Sequence, residues 1–123
     1  MTLLEMTVVI LVLLSLIGIL FIGARAWKRG ADRAACIVNI RNVQHGVRGY
    51  ANMYGYNPNT PVAGLKARVI GPNQFVEKDP ECPSGGLYTF ADENTVPDLG
   101  VLYAACPNIA TLPDHIPGAY ADW

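Results

Sequence analysis

The chain has 123 residues, enough for one domain plus an appendage. Its formal net charge of -1 gives no charge-driven partner such as nucleic acid. Charged residues make up 15% and apolar ones 51%, so the charge content falls below the roughly 25% of ordinary globular domains. The apolar residues are unevenly placed: the N-terminal fifth is almost wholly apolar, and the remainder is mixed and rich in Gly and Pro.

From Met6 to Ala24 no charged residue occurs. A membrane span needs about 20 mostly apolar residues at ~1.5 Å rise each, and this run qualifies. It does not read as a cleavable secretory signal: the basic residues follow the run rather than precede it, and the run is long. Arg25, Lys28, Arg29 and Arg33 follow at once, opposed only by Asp32, and Trp27 suits an interfacial anchor. Taken alone, that basic cluster would keep the rest of the chain cytoplasmic. Glu5 stands near the start of the run. It can mark a helix start, where a negative charge suits the dipole, or it can serve a function, as acids within membrane segments commonly do.

Met1-Thr2-Leu3-Leu4-Glu5, followed by the apolar run, resembles the mature N-terminus of type IV pilins and type II secretion pseudopilins. Thr2, Leu3, Leu4 and Glu5 match position by position; Met1 stands where most members have Phe. Many pilins also carry a proline near residue 22, where Gly18 and Gly23 are the loosening elements here. The resemblance implies a short basic leader, removed by a prepilin peptidase that methylates Met1. It further implies that Glu5 neutralises the N-terminal amine of a neighbouring subunit. Opposite charges attract strongly in a dry helix bundle, and either alone is costly there. Met1, Thr2 and Glu5 are therefore the expected assembly residues. The family orientation, with its N-terminus cytoplasmic and its globular part outside, also answers the conflict over the basic cluster.

No proline interrupts residues 1–54, and Gly55 and Pro58 end the helical pattern. Cys36, Ile40, Val43, Val47, Tyr50 and Tyr54 form one apolar stripe at helical spacing. Arg33, Arg41, Asn42, Gln44 and Arg48 fill much of the other side. Gly46 and Gly49 weaken the helix by up to about 1 kcal/mol each, so its C-terminal part must rely on packing. A helix of ~54 residues would span roughly 80 Å, too long to serve only as a core element of a small domain.

Beyond residue 55, four β-like runs stand at 67–70, 74–77, 86–90 and 100–104, separated by Gly, Pro, Asn and Asp. They predict a small antiparallel sheet on the helix stripe, with too little core to be stable without a staple. In an exported domain Cys82 and Cys106, both before Pro and beside predicted strands, are the expected disulfide. Closing that loop would contribute about 2–4 kcal/mol; the alternative is two free buried thiols. Cys36 lies on the apolar stripe and reads as a buried free thiol, with an intersubunit bridge as the lesser reading. Cys82-Pro83-Ser84-Gly85-Gly86-Leu87-Tyr88 and residues 35–41 carry a second likeness to pseudopilin-like proteins.

No cofactor is expected. Asp92, Glu93 and Asp98 share one loop and offer hard oxygen ligands for calcium, but without tight spacing a solvated acidic turn is the better reading. His45 and His115 stand far apart, and no Cys/His zinc spacing occurs. No nucleophile elbow, phosphate loop or His-Glu-x-x-His motif is present, and Ser84 has no histidine nearby in sequence.

The expected fold is α+β: a long N-terminal helix over about residues 1–54 with a small antiparallel β-sheet head on its C-terminal half. Residues 1–24 form the membrane or filament-core helix, 25–54 its amphipathic continuation and 55–123 the head. The expected function is that of a non-enzymatic subunit polymerising into an extracellular type IV pilus-like filament. The alternatives are a pseudopilin in a short periplasmic pseudopilus and a single-span anchored binding head. Implied partners are further copies of the chain, the inner membrane before assembly, the prepilin peptidase and the assembly machinery.

Overall fold

A computed structural model describes residues 2–123. Met1, one of the expected assembly residues, lies outside the described residues. The element order is α1 (Leu3–Tyr54), α2 (Leu65–Val69), β1 (Thr89–Phe90) and β2 (Ala104–Ala105). The long helix and the small antiparallel pair agree with an α+β layout. By its contacts the chain divides into two compact units, Met1–Ala31 and Asp32–Trp123, with the division falling inside α1.

In the first unit α1 begins with reciprocal capping. The Thr2 backbone N–H donates to Glu5 Oε2 at 3.2 Å, and the Glu5 N–H points back at Thr2 Oγ1 at 3.4 Å. Two N–H groups that lack helical partners are thereby satisfied. The large apolar side chains from Leu3 to Ile22 are all exposed. This stretch is long and apolar enough to cross a membrane, by length and composition. Its two hydroxyl side chains return to the helix itself: Thr7 donates to the Leu4 carbonyl and Ser15 to the Leu11 carbonyl, each at 2.8 Å. No side-chain donor between residues 6 and 24 therefore needs water.

In the second unit the expected stripe is the spine of the core. Cys36, Ile40, Val43, Val47 and Tyr50 are buried with Val62, Leu65, Val69, Val96 and Tyr103 around them. Tyr54 is the exception; it is exposed and leans on Tyr50 and Tyr56. Gln44, expected on the polar side, is fully buried. Its Nε2 donates to the Val101 carbonyl at 3.0 Å, and its Oε1 accepts from the Tyr103 N–H at 2.9 Å. The amide thus stands in for a neighbouring strand on a segment that has none there.

The sheet is smaller than the four runs predict. Residues 67–70 lie largely in α2, where Leu65 and Val69 face the core and Lys66 and Arg68 face outward. Of 74–77, only Val76 pairs, in an isolated parallel bridge with Ile70. Of 86–90, Leu87 makes an isolated bridge to Glu81 and Thr89–Phe90 form β1; of 100–104, only Ala104 enters a strand. The strands pair antiparallel with Thr89 opposite Ala105 and Phe90 opposite Ala104. Gly and Pro between the runs turn the chain before longer ladders can form, and many backbone groups pair in turns or singly across segments instead.

Candidate functional site

The second unit gathers three thiols and an imidazole in its core. Cys36, Cys82, Cys106 and His115 are all buried, and their ligand atoms lie within 4.8 Å of one another. Local structure explains each placement. Cys36 is delivered by α1 on the core stripe. Cys82 opens a tight turn closed by the Gly85 N–H on the Cys82 carbonyl at 2.8 Å and by the Cys82 N–H on the Gly86 carbonyl at 3.0 Å. Gly85 and Gly86 take φ of 106° and 88°, in the region that favours glycine, so Cys-Pro-Ser-Gly-Gly is the sequence this turn requires. The chain then runs through Tyr88 into β1, whose partner β2 ends immediately before Cys106. Cys106-Pro107 opens a second turn of the same kind, with the Ile109 N–H on the Cys106 carbonyl at 3.3 Å. A Cβ built on Gly86 would stand 3.1 Å from Pro107 Cγ, so the two turns are in contact. Finally, Arg33, one helical turn before Cys36, donates to the Asp114 carbonyl at 2.8 Å and fixes the residue next to His115.

The sulfurs of Cys82 and Cys106 are 3.7 Å apart, as are those of Cys82 and Cys36. His115 Nδ1 lies 3.7 Å from Cys106 Sγ and 3.9 Å from Cys82 Sγ. A disulfide requires about 2.05 Å between sulfurs. The expected Cys82–Cys106 bond is therefore not formed here: all three cysteines are free thiols. The two partners are neighbours, as their Pro-flanked positions suggest, but they share the site with a third sulfur and a ring nitrogen instead of closing on each other.

No known protein family, curated protein or solved structure matches this chain.

An outer ring of donors faces the sulfurs. The Tyr88 hydroxyl lies 3.1 Å from Cys36 Sγ and 3.2 Å from the Cys36 carbonyl, its one proton available to either. Asn39 Nδ2 donates to the Tyr88 oxygen at 3.3 Å and steadies it. Asn108 Nδ2 bridges the two turns, 2.7 Å from the Gly85 carbonyl and 3.7 Å from Cys82 Sγ. Burial pushes the Cys36 thiol up to about 12, against the opposing pull of the Tyr88 hydroxyl. Burial raises Cys82 too, but the Ser84 N–H, the His115 ring and the other two thiols outweigh it and draw it down to about 7. Cys106 stays above its ordinary value, burial again being the largest cause.

The acidic loop is built differently. Asp92 Oδ1 accepts from the Asn94 N–H at 3.0 Å, Asp98 Oδ1 from the Leu99 N–H at 2.8 Å, and Glu93 Oε1 faces Lys66 Nζ at 3.4 Å. The Asn94 N–H, helped by Thr95, holds the Asp92 carboxyl below the usual range. Among the described residues Asp92, Glu93 and Asp98 do not converge into a group that could hold an ion. Cys36 is the buried free thiol that the apolar stripe predicts, but its meeting with the other two cysteines, and the place of His115 beside them, were not expected. The gaps of 46, 24 and 9 residues between successive members of the cluster carry no short-range motif. The available signal was the repeated Cys-Pro turn at 82–83 and 106–107, together with a cysteine on the buried stripe.

Proposed function

We propose that this chain is the structural subunit of a type IV pilus-like filament, held in the membrane by the N-terminal part of α1 and polymerised through it. One observation carries this reading. The helix exposes an apolar surface from Met6 to Ile22, returns the hydroxyls within it to its own carbonyls, and places one carboxylate just before it in the first turn. Such a surface is satisfied by lipid or by the same surface on other copies. Glu5 uses Oε2 in the cap, yet a carboxylate has about four acceptor sites, so its charge and remaining lone pairs serve a neighbour's amine. Assembly thereby pairs two charges that would each be costly alone in an apolar bundle. The buried-core unit then lines the outside of the filament and takes no part in covalent chemistry.

Electron microscopy of filaments sheared from native cells, with mass spectrometry of their protein, tests this proposal. Thin filaments containing the chain with a methylated Met1 are the expected result. A processed Met1 in a chain confined to the membrane fraction identifies a pseudopilus instead. An unmethylated, unprocessed N-terminus in that fraction overturns the filament reading and leaves a single-span anchor.

A further inference from the structure

We propose that Cys36, Cys82, Cys106 and His115 form a structural zinc site of the globular unit, a tetrahedral Cys3His centre that ties α1 to three later segments of the chain. A tetrahedral zinc ion with Zn–S bonds of about 2.3 Å and a Zn–N bond of about 2.0–2.1 Å sets its sulfurs about 3.8 Å apart and its nitrogen about 3.6 Å from them. Two sulfur–sulfur separations of 3.7 Å and nitrogen–sulfur separations of 3.7 and 3.9 Å fit four edges of that frame, and the remaining two, from Cys36 to Cys106 and to His115, lie within 4.8 Å. Three soft thiolates with one imidazole favour zinc over calcium or magnesium, which take oxygen ligands. All four groups are buried and supply four protein ligands, which makes a closed site of the structural kind, with no position for a substrate.

The surroundings fit a negatively charged metal–thiolate centre. On binding, the three thiols lose their protons and the imidazole binds through Nδ1 with its proton on Nε2, which leaves one net negative charge on the centre. Donors already face it: Asn108 Nδ2 at Cys82 and the Tyr88 hydroxyl at Cys36. Such outer partners orient ligands and stabilise the thiolate form. A two-stranded sheet of two-residue strands leaves the unit short of cohesion, and a metal cross-link between residues 36 and 115 is a staple of the kind that small domains use. The inference concerns the globular unit alone and does not depend on the filament reading.

The test uses the full-length chain, purified in detergent under reducing, metal-free conditions and titrated with zinc. One zinc ion per chain is expected, with three sulfurs at about 2.3 Å and one nitrogen at about 2.0–2.1 Å by X-ray absorption. Zinc is also expected to raise the unfolding midpoint and to protect all three thiols from alkylation. His115→Cys should keep the metal with four sulfurs, whereas His115→Ala should weaken binding by tenfold or more and remove the nitrogen signal, in line with the roughly 10–100-fold lost even from outer-shell changes. Because the reduced chain is the starting material, a folding failure in one variant leaves the wild-type spectrum as the deciding result. Absence of stoichiometric zinc, or a bound ion with fewer than three sulfurs, overturns the proposal. So does a Cys82–Cys106 disulfide in chain trapped by alkylation directly from native membranes.

Discussion

A single substitution can separate the cap that Glu5 forms from the intersubunit role proposed for it. In the isolated chain it closes a capping box with Thr2. In the proposed filament it supplies the charge that a neighbouring amine needs. Glutamine serves a capping box as well as glutamate does, so Glu5→Gln keeps the first role and removes the second. We expect Glu5→Gln and Glu5→Leu both to enter the membrane normally and both to yield few or no filaments, measured as sheared filament per membrane-bound chain. Normal filament yield from Glu5→Gln would reduce Glu5 to a helix cap. Gln44 is the other decisive single residue. Gln44→Met keeps the volume but orphans the Val101 carbonyl and the Tyr103 N–H, both now paired by the amide. Each orphaned group costs about 1–3 kcal/mol. At roughly 4–8 °C per kcal/mol, calorimetry should show a clear fall in melting temperature.

The two glycines of α1 that weaken the helix are what bring α2 and the following loop onto it. A Cβ on Gly46 would stand 3.2 Å from Val69 Cγ1 and 3.3 Å from both Phe75 Cβ and Val76 Cγ2; one on Gly49 would stand 3.1 Å from Phe75 Cε1. Gly46→Leu should therefore destabilise the globular unit by about 1–3 kcal/mol through overpacking, although leucine is the better helix former. Denaturant unfolding measures this, and an unchanged or raised midpoint would show that the segment 69–76 can move away freely. The same segment explains the misread strand. Val69 and Ile70 are β-formers, but Gly64 starts a short helix in a left-handed conformation, and the packing of Leu65 and Val69 against α1 sets the local state. Tertiary burial here outweighs a weak local preference.

The whole chain divides along α1 into an exposed apolar stretch and a unit with a buried core. Among the described residues the buried apolar core comes from residue 36 onward, inside the unit Asp32–Trp123. A chain shortened to residues 32–123 should consequently stay folded and monomeric without detergent, unfold cooperatively, and fail to polymerise. Size-exclusion chromatography and calorimetry check this; aggregation of the shortened chain would mean that residues 1–31 also stabilise the globular unit.

Periodicity determined α1, its core stripe and its exposed apolar stretch from the sequence alone, because helical spacing and transfer free energy are local properties that the residues carry with them. Glu5 as the marker of a helix start was legible for the same reason, since a cap acts within one turn; its pairing with Thr2 emerged only in the folded chain. The proximity of Cys82 and Cys106 was legible from their turns. Everything that depends on long-range closure needed the folded chain: the burial of Gln44, the shrinkage of four β-like runs to one short pair, and the meeting of Cys36 and His115 with the other two cysteines. Those side chains come from a helix, two turns and a late loop, and no spacing along the chain encodes the point in space where such segments cross.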